Sequence, residues 1–305
     1  MLIRAQRWPL RAWVKVIIVA VVLMGVAYAL ARSWAELDSS AWNLRPQPAI
    51  GTFLLWLLAT VWVAPLWVTI CRGLGGSIRM RQGMRIHLMS NLGKYLPGKV
   101  LHAVGLVVMA RDLGVPGTIG VTSVLVELAL SLTGAGLVSL LGLPLLLEQQ
   151  RAILIPLASA GLLGALLVMH PAVLGRLLRL GSRFVPGAAG QFDDHQLLSY
   201  RKTLGLLCMY AVSWLILGLS LFQAAQIVYP IEPSALVQMA GIMALSYLFG
   251  LAVPFAPAGL GAREGATALL LSTMMPLPAA VTISVLARLI GIAAEAFGAL
   301  VASRL

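Results

Sequence analysis

Charge is scarce in this chain. Only 10% of its 305 residues are Asp, Glu, Lys or Arg, whereas ordinary soluble domains carry about 25%. That scarcity argues against a soluble globular protein. Acids are scarcer still, at ten against 22 Lys and Arg, for a net charge of +12. In a soluble chain such an excess would suggest nucleic acid. Here the basic residues sit in short loops between apolar runs, which is the positive-inside pattern, and no nucleic-acid partner is expected. Cysteine is nearly absent: Cys71 and Cys208 adjoin or lie within apolar runs, so no disulfide framework is expected. The four histidines, His87, His102, His170 and His195, have no metal-ligand spacing. There is no Walker loop, no G-x-S-x-G and no dinucleotide fingerprint. The expectation is therefore no metal, no cofactor and no enzyme.

What the chain has instead is apolar sequence, 60% of all residues. Several runs reach about 20 residues, enough to cross a 30 Å hydrocarbon core. The chain reads as an all-α, polytopic integral membrane bundle, a single transmembrane domain over residues 1–305. Helices are expected near Trp13–Ala31, Ala49–Ile70, Thr118–Leu147, Ala152–His170, Thr203–Val228 and Ala279–Val301. The first follows Arg4, Arg7, Arg11 and Lys15 and has no clean cleavage site, so it reads as a retained signal anchor. Pro65 is expected to kink the second, and Pro144 to make the long 118–147 helix tilt or end early.

Two stretches interrupt this apolar pattern. The first runs from Asn91 through Gly93, Lys94, Tyr95, Pro97, Gly98 and Lys99 to Val100. A lysine at the bilayer centre costs about 3 kcal/mol on insertion scales. Pro and Gly there break a hydrogen-bond ladder that lipid cannot replace. The spacing predicts a half-helix from Met84 to Lys94, a break at Tyr95–Pro97 and a second half-helix from Gly98 to Ala110. The second stretch, Pro254 to Gly265, contains Pro257, Gly259, Gly261, Arg263 and Glu264.

Counting charge gives a topology. The N-terminus holds four basic residues, the compact Arg72–Arg85 loop four and the 171–202 loop five, together 13 of the 22. All three are expected to be cytoplasmic, with the N-terminus inside. Residues 86–110 then begin and end on one side, as a re-entrant hairpin would. A second hairpin over 235–275, entering from outside, makes halves 1–170 and 203–305 an inverted repeat, a layout known from transporters. The alternative is a full crossing by Ser234–Val253, which would place the C-terminus outside.

The candidate site residues follow from the breaks. Lys94 and Lys99 flank Pro97-Gly98, where a half-helix N-terminus would attract an anion such as a phosphate headgroup; the alternative is that they snorkel to the interface. His102 lies one turn beyond, and Asn91 could hydrogen-bond the break. Arg263 can grip a phosphate or pair with Glu264, which is also a good dipole partner in a first helical turn. Glu127, Arg288 and Glu295 are ionisable groups within apolar helices, either functional or a buried pair such as Glu127 with Arg288. Glu127, Glu264 and Glu295 could couple transport to protons. Gly134 and Gly136 suit close helix packing.

The 91–99 motif resembles the mid-chain motif of the flippase-like transmembrane domain of lysylphosphatidylglycerol synthases. Arg111 and the Pro257, Gly259, Gly261, Glu264 pattern match as well. The resemblance implies a bacterial cytoplasmic-membrane protein that moves an anionic phospholipid or lipid-linked headgroup between leaflets, without the synthase chemistry. A membrane-embedded transferase acting on a lipid carrier stays open beside it. So does a subunit that recruits a biosynthetic enzyme, and so does a homo-oligomer.

Overall fold

The computed structural model describes residues 46–95, 101–146, 149, 151–170, 172, 173, 175, 176, 198–253 and 259–304. The expected 13–31 helix, the tip with Pro97, Gly98 and Lys99, Pro257 and most of the 171–202 loop lie outside the described residues. So does the expected placement of the N-terminus.

Among the described residues there are nine α-helices and no strand. They are α1 (Pro46–Gly73), α2 (Met80–Asn91), α3 (Leu101–Asp112), α4 (Gly117–Leu146), α5 (Arg151–Val168), α6 (Tyr200–Val228), α7 (Leu236–Ala252), α8 (Ala262–Leu271) and α9 (Leu277–Ser303). Short 3₁₀ turns at Leu92–Tyr95 and Pro233–Ala235 follow α2 and precede α7. Lipid offers backbone groups no hydrogen bonds, so helices that satisfy their own are the natural solution for an open chain. Five segments are long and apolar enough to span a membrane: α1, α4, α6, α9 and Pro233–Ala252. α4 does not end early: it runs 30 residues through Pro144, about 45 Å at 1.5 Å per residue. α5 has 18 residues and leaves Ile153, Leu157, Leu163 and Leu167 exposed. Water penalises such a surface and lipid tails do not.

The interior is held by close backbone approach rather than by bulk. α4 crosses α7 where Gly142 meets Gly241; a Cβ on Gly142 would lie 2.7 Å from the Gly241 Cα. α6 crosses α7 at Gly218, where a Cβ would lie 2.3 Å from the Ala240 Cα. Gly134 serves α4 against α6 in the same way, 3.2 Å from the Ala211 backbone nitrogen, whereas Gly136 faces open space and has no such role. Apolar side chains gain little from leaving lipid for protein, so small residues and polar links supply the cohesion. The links include Trp67 Nε1 donating to Ser123 Oγ at 3.1 Å, Trp214 Nε1 donating to the Ser131 carbonyl at 3.0 Å, and Ser220 Oγ donating to the Thr52 carbonyl at 3.0 Å.

Three helices are short. α2 and α3 have 12 residues each and α8 has ten, so each extends no more than about 18 Å. α2 begins four residues before the expected start at Met84. It takes Arg81 and Arg85 out of the supposed loop and into helix. α2 and α3 lie side by side: a Cβ on Gly93 would sit 2.9 Å from the His102 backbone nitrogen, and one on Gly105 3.9 Å from the Ser90 Cβ.

Candidate functional site

The second break is built by two glycines in conformations other residues avoid. Gly259 has φ +71° and Gly261 φ +83°. Gly259 also packs against α7, where a Cβ would lie 2.9 Å from the Gly250 Cα. Gly261 then caps α8, and its N–H donates to Glu264 Oε2 at 2.7 Å. This carboxylate satisfies one of the N–H groups that a helix start leaves unpaired. The turn carries Arg263 and Glu264 inward, 8% and 6% exposed.

Glu264 does not pair with Arg263. Its Oε1 lies 3.1 Å from Arg288 Nε on α9, in an ionic contact whose angle falls short of a hydrogen bond. Arg263 instead rests among aromatic faces, its guanidinium carbon 5.5 Å from the ring centres of both Trp56 and Tyr247. Its Nη2 also donates to Met243 Sδ at 3.4 Å. Among the described residues Arg263 has no carboxylate partner. Cation–π contact eases the burial of a guanidinium but does not neutralise it.

The first break reaches the same place. Lys94, in the 3₁₀ turn after α2, lies 2.7 Å from Glu295 Oε2 on α9. Tyr95 donates its hydroxyl to that oxygen at 2.7 Å, and Trp56 Nε1 donates to Oε1 at 3.0 Å. Glu295 is thus a buried carboxylate with three donors among the described residues, one from α1 and two from the first break. The Arg288 guanidinium stands 5.3 Å from the Tyr95 ring centre, so Tyr95 links the two ion pairs, and Trp56 links Glu295 to Arg263. Trp56 fits because α9 has Gly291 opposite it, where a Cβ would lie 2.4 Å from Trp56 Cε2.

Lys94, Arg263 and Arg288 therefore converge with Glu264 and Glu295. Among the described residues three cations meet two carboxylates, leaving one positive charge in excess. A cavity of about 10 Å³ opens between Trp56, Arg263, Glu264, Ser284 and Arg288, room for about one water.

The remaining candidates lie elsewhere or are placed differently. Glu127 does not pair with Arg288; its Oε1 is 2.8 Å from His87 Nε2. His102 lies beside that pair, its ring centre 5.9 Å from that of His87. Arg288 and Glu295 share α9; their ion-pair partners differ, but Tyr95 touches both. Asn91 is the last residue of α2 and half-buried. Lys99, Pro97, Gly98 and Pro257 are outside the described residues. Trp56, Tyr95, Tyr247 and His87 were not candidates. Tyr95 had a signal, its place beside Lys94 at the break. Trp56 was one tryptophan among several, and nothing in its spacing marks it as a carboxylate's donor.

The sequence model described as "Lysylphosphatidylglycerol synthase TM region" matches residues 13–295. The chain belongs to that family, a membrane-embedded class that the description ties to lipid metabolism. No curated protein and no solved structure matches it.

Proposed function

We propose that this protein is a flippase that carries an anionic phospholipid or lipid-linked headgroup between the leaflets of the bacterial cytoplasmic membrane. The observation that carries this reading is the positive excess at the cluster of Lys94, Arg263 and Arg288 with Glu264 and Glu295. An uncompensated buried cation is expensive, and a phosphate beside it is the natural counter-ion. At contact distance such a pair gains about 4 kcal/mol with an effective dielectric near 20. Arg263 would meet the headgroup first, because it has aromatic neighbours instead of an acid. Glu264 and Glu295 would hold Arg288 and Lys94 while the site is empty and yield them as the headgroup passes, so that no cation stands alone. Their protons could supply the coupling, and no covalent bond is made or broken.

A space of about 10 Å³ does not admit a phosphate. Passage therefore requires the two broken stretches to part, with acyl chains remaining in lipid. In this reading the stretches are re-entrant hairpins from opposite faces, with the N-terminus inside.

The test is reconstitution of the purified protein into vesicles carrying labelled anionic phospholipid in one leaflet. Wild type is expected to move the label faster than empty vesicles do. Arg263→Ala is expected to slow it about tenfold, equivalent to ~1.4 kcal/mol of barrier. Labelled lipid, including labelled glycolipid, that moves no faster than in empty vesicles sinks the proposal.

A further inference from the structure

A second cluster shares no side chain with the cationic one. It is built from three helices: His87 on α2, His102 on α3 and Glu127 on α4. One ring nitrogen of each histidine and one Glu127 oxygen all lie within 4.8 Å of one another. His87 is 5% exposed and Glu127 9%. The Nδ1 atoms of both histidines are buried and make no hydrogen bond. The Tyr210 hydroxyl, on α6, is buried and makes no hydrogen bond among the described residues.

Two needs are unmet here. A carboxylate in an apolar bundle requires a cation, and among the described residues the ion-pair partner of Glu127 is a histidine, 2.8 Å away. Buried imidazole nitrogens require partners, and two are without one. Lys94 follows Gly93, which packs against the His102 backbone, but its charge is already matched by Glu295.

We propose that His87, His102 and Glu127 bind one divalent transition-metal ion of the zinc type, which ties both limbs of the first break to α4. Two imidazoles and one carboxylate suit zinc, and leave a fourth position open for water. Bond lengths of about 2.0–2.2 Å put ligand atoms about 3.3 Å apart around a tetrahedral ion. The observed closest approach of 2.8 Å and limit of 4.8 Å bracket that spacing, so side-chain rotation of roughly 1.5 Å closes the site. The ion would neutralise Glu127 and bind one nitrogen of each imidazole. It would also brace α2 and α3 at the end nearest Lys94, which is where the transport reading requires movement.

The test uses the full-length protein in detergent, with its affinity tag removed and chelator-washed. Titration with Co²⁺ is expected to give saturable visible absorption at about one ion per chain, with Zn²⁺ displacing it and raising the melting temperature. His102→Gln is expected to weaken Co²⁺ affinity by about 100-fold or more, while His170→Gln, a histidine outside the cluster, binds as wild type. Cu²⁺-loaded wild type provides a measurement that needs no variant: spin-echo resonance should detect two imidazole nitrogens. Wild type that takes up no stoichiometric ion, a His102→Gln variant that binds as tightly as wild type, or fewer than two imidazoles on copper would each overturn the proposal. None of these results bears on lipid movement by the cationic cluster.

Discussion

Replacing Lys94 tests whether the first break is held by charge. Lys94 and Glu295 lie 2.7 Å apart, but unequally buried: the side chains are 28% and 5% exposed. Lys94→Met would strand Glu295 in the interior, still served by Trp56 and Tyr95. Removing one member of a buried pair costs about 3–5 kcal/mol, and the two surviving donors put this case near the lower figure. Glu295→Gln should cost less, about 1–2 kcal/mol, because Lys94 can turn toward its exposed side, the amide oxygen can keep the Trp56 donor, and the amide N–H can donate to the Tyr95 hydroxyl oxygen instead. The double variant removes both charges of this pair and strands neither. It should cost about as much as Glu295→Gln alone, not the sum, a coupling of about 3 kcal/mol. At this chain length one kcal/mol moves the melting temperature by roughly 2 °C. Thermal unfolding in detergent, followed by tryptophan fluorescence, should then show losses of about 6 °C for Lys94→Met and about 3 °C for both the other single and the double. Additive losses would show that the pair contributes no mutual stabilisation, and would refute the reasoning.

Other perturbations follow from the same geometry. Gly291→Ala puts a Cβ 2.4 Å from the buried Trp56 ring; it should destabilise by about 1–3 kcal/mol and alter the fluorescence of that tryptophan, and an unchanged melting curve would contradict the contact. Gly142→Val must push α4 from α7, since the atoms opposite are backbone of Val237 and Gly241. A loss of about 3 kcal/mol or more is expected in the same assay, whereas Gly136→Ala, facing open space, should be neutral or slightly stabilising. If α2 and α3 form a re-entrant hairpin, then single cysteines at Ser77 and Asp112 should react with an impermeant maleimide from the cytoplasmic face, and one at Gln149 from the other. Labelling of Ser77→Cys and Asp112→Cys from opposite faces would remove the hairpin.

Much of the helical pattern was legible because lipid imposes it. Runs of apolar residues that avoid charge have one solution without neighbours to share hydrogen bonds, and α6 and α9 start within three residues of where the pattern put them. Boundaries were less legible. α2 starts early although Arg81 resembles a loop and Gly83 disfavours a helix, because Gly83 lets α2 pack closely on α1, where a Cβ would lie 2.5 Å from Val68 Cγ2. Close helix crossing was read correctly at Gly134 and wrongly at Gly136, since both have the same sequence context and only one faces a neighbour.

The candidate site divides in the same way. Composition and the breaks alone single out Lys94, Arg263, Glu264, Arg288 and Glu295, because an ionisable group among apolar residues is conspicuous whatever surrounds it. Who pairs with whom is decided by tertiary structure. Glu264 turns to Arg288 because the positive-φ glycines aim α8 at α9. Glu127 turns to His87, and His102 joins them, because α2, α3 and α4 meet there. A sequence shows which residues are costly to bury, since that cost belongs to each side chain alone. It does not show how the cost is met, because partners such as Trp56 and Glu295 are 239 residues apart and only packing of the whole bundle brings them within reach.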